Sequence, residues 1–181
     1  MKARTEEERF QYCVNVIIEH EGGLSNDKRD AGGVTNYGIS LRFLRTIGMD
    51  IDGDGDSDSE DIIALTRPGA KQIYRKFWWL KYNYERINHL EVVAKVFDLS
   101  VNMGGIAAHK ILQTACNNFM PTPLKVDGIL GNKTLYNTNY LDPKELREEL
   151  RLCAKDKYMK ILAANPAFEC FKNGWMTRAK W

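Results

Sequence analysis

Apolar residues in this chain recur at helical spacing in separate runs, and glycine or proline punctuates several of the gaps between them. That pattern commits the chain to short packed helices and leaves little for extended strands. The first run opens at Thr5, three residues before Glu8 in the arrangement of a capping box, and puts Phe10, Cys13, Val14, Ile17 and Ile18 on one face. Gly22-Gly23 ends it. Leu41 to Ile47 predicts a second helix, and a short one starts near Glu60. Pro68 suits the first turn of a helix through Ile73, Tyr74, Phe77 and Trp78. Leu90 to about Asn102 follows, and Gly104-Gly105 separates it from a helix through Ile111, Leu112, Ala115 and Phe119, which Pro121 and Pro123 stop. Asp142-Pro143 begins the last long helix, with Leu146, Leu150, Ala154, Tyr158 and Ile161 about one turn apart. Between Glu21 and Ile39 the chain is turn-rich, and only Thr35 to Ile39 reads as a short strand. The expected fold is therefore mainly α, with one irregular segment early in the chain.

At 181 residues the chain suits one domain, or one with a small appendage. No run of about 18 apolar residues exists, which argues against a membrane-spanning helix. Met1 to Arg9 is dense in charge and lacks the apolar stretch of a signal peptide, so the expected starting place is the cytoplasm, with another route out. Cys13, Cys116, Cys153 and Cys170 form no CxxC pair. Cys13 and Cys116 lie among apolar residues and read as buried free thiols; a disulfide between Cys153 and Cys170 stays open. The net charge of +2 hides an uneven distribution: Asp50 to Asp61 holds seven of the 24 acids and no base, against 26 bases in the whole chain. A chain basic outside one acidic loop suits an anionic polymer, either nucleic acid or bacterial cell wall.

The segment from Glu21 to Ile39 carries the chemistry. Glu21 lies four residues after Ile17, on the same helical face as the apolar stripe. Poor solvation there and the negative end of the helix macrodipole both favour a protonated carboxyl. A proton held near neutral pH is what the general acid of glycosidic cleavage supplies. Glu19 projects to the other side, toward solvent. The glycines let the backbone pass close to a bulky polymer. Asp30 and Thr35 return at offsets of nine and fourteen from Glu21, where they can face it across a cleft and hold a water. Acid on one side and water-holding carboxylate on the other is the division of labour of an inverting glycosidase. The structural alternative is a helix cap followed by an Asx-rich loop.

The run Glu21-Gly22-Gly23-x2-Asn26, with Asp30, Gly32-Gly33, Thr35 and Gly38-Ile39, closely resembles the signature of glycoside hydrolase family 108. That resemblance implies an N-acetylmuramidase of bacterial or phage origin with a lysozyme-like helical fold, acting on peptidoglycan and not on nucleic acid. It covers nearly the whole chain. Trp78-Trp79 resembles the family's aromatic segment. Asp98 to Gly104, Asp127-Gly128-Ile129-Leu130-Gly131 and Gly174 to Arg178 resemble its C-terminal peptidoglycan-associated region. By the resemblance Glu21 takes the catalytic glutamate's place. Asp30 and Thr35 follow the Glu–Asp–Thr arrangement of phage lysozymes, from which the spacing departs by one residue. Asn26, Tyr37 and Trp79 are the expected substrate contacts, because Tyr74 and Trp78 match the core-facing stripe and leave Trp79 outward. The expected domains are a lysozyme-like catalytic region, Met1 to Leu90, and a helical peptidoglycan-associated region, residues 91–181. A prophage or phage endolysin of this kind waits in the cytoplasm and reaches the wall or periplasm on release. The competing readings are a lytic transglycosylase, which needs one glutamate and no water-holding partner, and a non-catalytic wall-binding or secretion-assisting protein.

Asp50 to Asp61 fits a twelve-residue calcium loop, with Asp50, Asp52 and Asp54 at positions 1, 3 and 5 and Gly55 at the turn. Asp56, Asp58 and Asp61 complete the candidate ligand set. Ser57 at position 8 and Asp61 at position 12, in place of an apolar residue and a glutamate, depart from an EF-hand. The expected ion is a structural Ca2+, with no cofactor for catalysis. His20, His89 and His109 stand apart and read as ordinary surface or core residues.

Overall fold

The computed structural model describes residues 4–25 and 33–181. These are mainly helical, in the order α1 (Glu6–Glu21), β1 (Thr35–Asn36), β2 (Ile39–Ser40), α2 (Leu41–Ile47), α3 (Ser59–Ala64) and α4 (Arg67–Tyr74). Then come α5 (Leu90–Met103), α6 (Gly105–Asn117), α7 (Asn132–Tyr140), α8 (Pro143–Ala164) and α9 (Lys172–Lys180). A π-helical turn, Arg75–Leu80, continues α4, and short 3-10 turns occupy Tyr84–Arg86 and Pro166–Phe171. Among the described residues no helix is long and apolar enough to cross a membrane.

The chain divides into two compact units, Val14–Phe77 and Met1–Cys13 with Trp78–Trp181. The boundaries fall inside α1 and inside the π-helical turn. The smaller unit buries Val14, Ile17 and Ile18 of α1 with Ile39, Leu44, Ile62, Ile73 and Tyr74. Its antiparallel hairpin pairs Thr35 with Ser40 and Asn36 with Ile39. The buried Asn36 amide donates to the carbonyls of Ile62 and Leu65, at 3.0 and 3.2 Å, and so ties β1 to α3. Each helix end has a local cause. Ser40 caps α2, whose C-terminus closes on Gly48 in the left-handed conformation. Thr66 caps α4 with Pro68 in its first turn.

In the larger unit α5 is enclosed, every residue from Val92 to Ser100 being buried, and α6 and α8 pack against it. Lys95 is enclosed too. Its ammonium donates to the carbonyls of Arg178 and Ala179 near the end of α9, and burial pushes its pKa down to about 8. The stripe on α8 runs Leu146, Leu150, Ala154, Tyr158 and Leu162, so Leu162 and not Ile161 completes it. All four cysteines are free, and burial pushes the Cys13 and Cys116 thiols up to about 12 and about 11. Cys153 and Cys170 form no disulfide.

Trp79 departs from expectation. An uninterrupted α-helix would carry Tyr74 onto Trp78 four residues later and turn Trp79 outward. The π-helical turn inserts an extra residue per turn, so the buried face passes from Tyr74 to Trp79. Trp79 is fully buried beside Phe10, Tyr84 and Phe97, and its indole N–H donates to Glu6 at 2.6 Å. It is a core residue and no sugar can stack on it, while Trp78 is half-buried. Trp79→Ala is expected to cost about 3–5 kcal/mol in chemical denaturation, as for other buried tryptophans. A cost below about 1 kcal/mol would contradict this packing.

Candidate active site

Glu21 is the last residue of α1. The amide of Gly22 still bonds to Ile18 at 3.1 Å, and Gly22 then leaves the helix at φ +79°. Ile17, one turn earlier, is fully buried, whereas Glu21 is half-exposed and Glu19 and His20 are exposed. The apolar stripe thus ends on a carboxyl that solvent and substrate can reach. This is less enclosed than the helical face alone suggests.

The hairpin turn lies against this carboxyl's stem. Tyr37 and Gly38, at φ +50° and +79°, are the two central residues between β1 and β2, with both φ positive as a type I′ turn requires. Gly38 also has no room for a side chain: a Cβ there would stand 2.5 Å from Glu21 Cγ, 2.8 Å from Glu21 Cβ and 2.5 Å from the Tyr74 hydroxyl. The buried Tyr74 hydroxyl donates to the Tyr37 carbonyl at 3.0 Å. Thr35 exchanges both backbone hydrogen bonds with Ser25, at 2.8 and 2.9 Å, which fastens the chain just after α1 to the hairpin. Its hydroxyl lies 3.4 Å from the Gly33 carbonyl, and both Thr35 and Tyr37 are half-exposed.

In the smaller unit the structure therefore places Glu21 beside Gly38, the residue after Tyr37, while Thr35 opens the same hairpin and no side chain fits at residue 38. Asn26 and Asp30 lie outside the described residues. Trp79, buried in the core of the other unit, is no part of this group. Tyr74 faces the core as its place on the apolar stripe predicts, and the hydrogen bond of its hydroxyl to the turn has no signal in that pattern.

The acidic loop is built around its own backbone. The Asp50 carboxylate accepts from the amides of Gly53 and Gly55, at 2.6 and 2.9 Å. Asp61 is buried and accepts from Ile51, Asp52 and Asp58, closing a capping box with Asp58 at the start of α3. Two groups of oxygens converge, Asp50 with Asp52 and Asp54, and Asp56 with Asp58 and Asp61, each within 4.8 Å. The backbone bonds, that of Ile51 above all, hold the Asp61 carboxyl below its ordinary range. Asp52 is pushed up by desolvation and then by its neighbours, and Asp56 is pushed up first by the Asp54 charge.

In the larger unit the turn Asp127 to Gly131 is organised by buried Gln113, which donates to Asp127 and Ile129 and accepts from Gly128. A groove of about 720 Å³ runs beside it, rimmed by Lys125 and Lys133. Tyr136 on its wall is exposed and stacks on Tyr140, centroids 5.9 Å apart and rings 12° from parallel.

Residues 14–104 match the family described as glycosyl hydrolase 108, and residues 107–180 match a predicted peptidoglycan domain. Asp98 to Gly104 therefore falls in the first region rather than in the peptidoglycan-associated one. The solved structure of Brucella abortus SagA is similar over 96% of this chain and 91% of that one, with a TM-score of 0.76 and 25% identity. No curated protein matches.

A carboxyl whose folded-state pKa is depressed stabilises the fold above its unfolded value, about 3.9, and loses that contribution as pH falls through the lower folded value. Asp61→Asn should therefore melt below the wild type at pH 7, and the gap should narrow below about pH 4. Melting curves across pH read this directly, and an unchanged gap down to pH 2 would mean the Asp61 bonds do not carry it.

Proposed function

The chain belongs to the glycosyl hydrolase 108 family and continues into a peptidoglycan domain; from that premise we propose that it is an N-acetylmuramidase with Glu21 as its general acid. The bond cleaved is the β-1,4 linkage between N-acetylmuramic acid and N-acetylglucosamine. The observation that carries this reading is the place of Glu21: the last residue of α1, reachable from solvent, with its stem against the Tyr37-Gly38 turn. From there the carboxyl gives its proton to the glycosidic oxygen as the bond to the sugar breaks. Asp30 and Thr35 hold the water that attacks the sugar from the far side, and Asn26 and Tyr37 contact the glycan. The C-terminal region keeps the enzyme on the wall, with Lys125 and Lys133 facing a polymer that carries carboxylates. In this reading the protein is an endolysin that meets peptidoglycan after release from the cytoplasm.

Replacing Glu21 by Gln keeps the shape and removes the proton. Wall lysis, followed as loss of turbidity, should fall by about two to four orders of magnitude while the melting temperature stays near the wild type. Lysis at the wild-type rate by a folded Glu21→Gln protein would overturn the proposal.

The same reading gives the acidic loop a structural Ca2+ held by Asp50, Asp52, Asp54, Asp56, Asp58 and Asp61. Its support is the number of oxygens that converge there and the repulsion, from Asp54 above all, that raises Asp56. An ion bound only by the folded state stabilises it by about 2.7 kcal/mol at a hundredfold excess over its dissociation constant. Calcium should therefore raise the melting temperature by several degrees and chelator reverse it, with Asp50→Ala and Asp54→Ala abolishing the response. A melting temperature indifferent to both would leave the loop a solvated acidic turn.

A further inference from the structure

Tyr74 ends α4 and is fully buried, yet it carries a hydroxyl where phenylalanine would pack as well. A buried hydroxyl costs desolvation unless it is used. Its single proton goes to the Tyr37 carbonyl, which pins the hairpin turn at one of its two left-handed residues. Its oxygen lies 2.5 Å from the point a Gly38 Cβ would occupy, and Glu21 Cγ lies the same distance from that point. Hydroxyl and carboxyl stem are therefore within about twice that distance of each other. They share a space that exists because residue 38 has no side chain.

Resting on the reading of Glu21 as the acid, we propose that Tyr74 is a positioning residue: its hydroxyl, with the turn it holds, forms the seat that fixes the Glu21 stem and aims the carboxyl at the glycosidic oxygen. A long side chain that is ordered only at the moment of reaction costs entropy at that moment. Proton transfer requires the acid within hydrogen-bond reach, and a displacement of about 1 Å can cost about a hundredfold in rate. Placing the seat in the core, on a helix and a two-residue turn, meets that cost during folding.

Tyr74→Phe keeps the ring and its packing and removes only the hydroxyl. Measured on soluble peptidoglycan fragments with the full chain, kcat should fall about ten- to hundredfold and KM stay within about twofold. Introduced into a Glu21→Gln chain, the same change should lower the residual rate no further, because it acts through Glu21. A merely structural clamp would lower the melting temperature and leave kcat intact, and a substrate contact would raise KM; either result overturns the proposal. If Tyr74→Phe is not folded at the assay temperature, the same measurement at a lower temperature, where its melting curve shows it folded, decides the matter: a kcat loss with KM retained supports the seat, and wild-type kcat overturns it. An active Glu21→Gln protein would remove the underlying reading and this one with it. An inactive Glu21→Gln protein beside a fully active Tyr74→Phe protein would remove this one alone.

Discussion

Around residue 38 the stem of Glu21 and the hydroxyl of Tyr74 approach the hairpin so closely that a single methyl group there would collide with both. The positive φ at Tyr37 and Gly38 makes the two-residue turn, and the turn brings β2 back beside β1. Asn36 then ties β1 to the end of α3, while Ser25 and Thr35 tie the chain after α1 to the same strand. The carboxyl proposed as the acid is thus carried on a stem that lies beside this turn and near the buried Tyr74 hydroxyl. Such support holds a reacting group more closely than a loop alone can.

The larger unit solves a different problem. Helix α5 is buried on all sides, so polar groups on it need internal partners. Lys95 finds two carbonyls of α9, and the Ser100 hydroxyl bonds to the Phe97 carbonyl. Buried Gln113 on α6 uses both ends of its amide to shape the Asp127 to Gly131 turn. His109 adds a bond to the Gly128 carbonyl at 3.0 Å and one to the Tyr84 hydroxyl at 2.9 Å. The bonds of Gln113 fix the turn that walls the neighbouring groove.

Where an element announces itself by a stripe of apolar residues, it was legible from the sequence, as for α1, α5, α6 and α8. Helix α7 has no such stripe. It buries Thr134, Asn137 and Thr138 beside Leu135, with the two threonine hydroxyls hydrogen-bonded, so the polar residues hide the helix from a hydrophobic pattern. Trp79 was misread because periodicity assumes 3.6 residues per turn, and the π-helical turn breaks that assumption at the residue in question. Of the candidate site the helix end was legible, a glutamate before paired glycines, but the Tyr37-Gly38 turn was not: Thr35 to Ile39 reads as one strand, and the structure folds it into a two-residue hairpin. The bond of the Tyr74 hydroxyl was not legible either, because in a one-dimensional pattern the ring counts as core and the hydroxyl is invisible.

The account stands on hydrolysis of a glycosidic bond in peptidoglycan by an acid that works with a water. Mass spectrometry of the fragments released from purified peptidoglycan reads that chemistry at the newly formed ends. The account predicts reducing N-acetylmuramic acid at those ends, each carrying the added water. Anhydro-muramic ends, N-acetylglucosamine reducing ends, or intact glycan with cut peptides would contradict it.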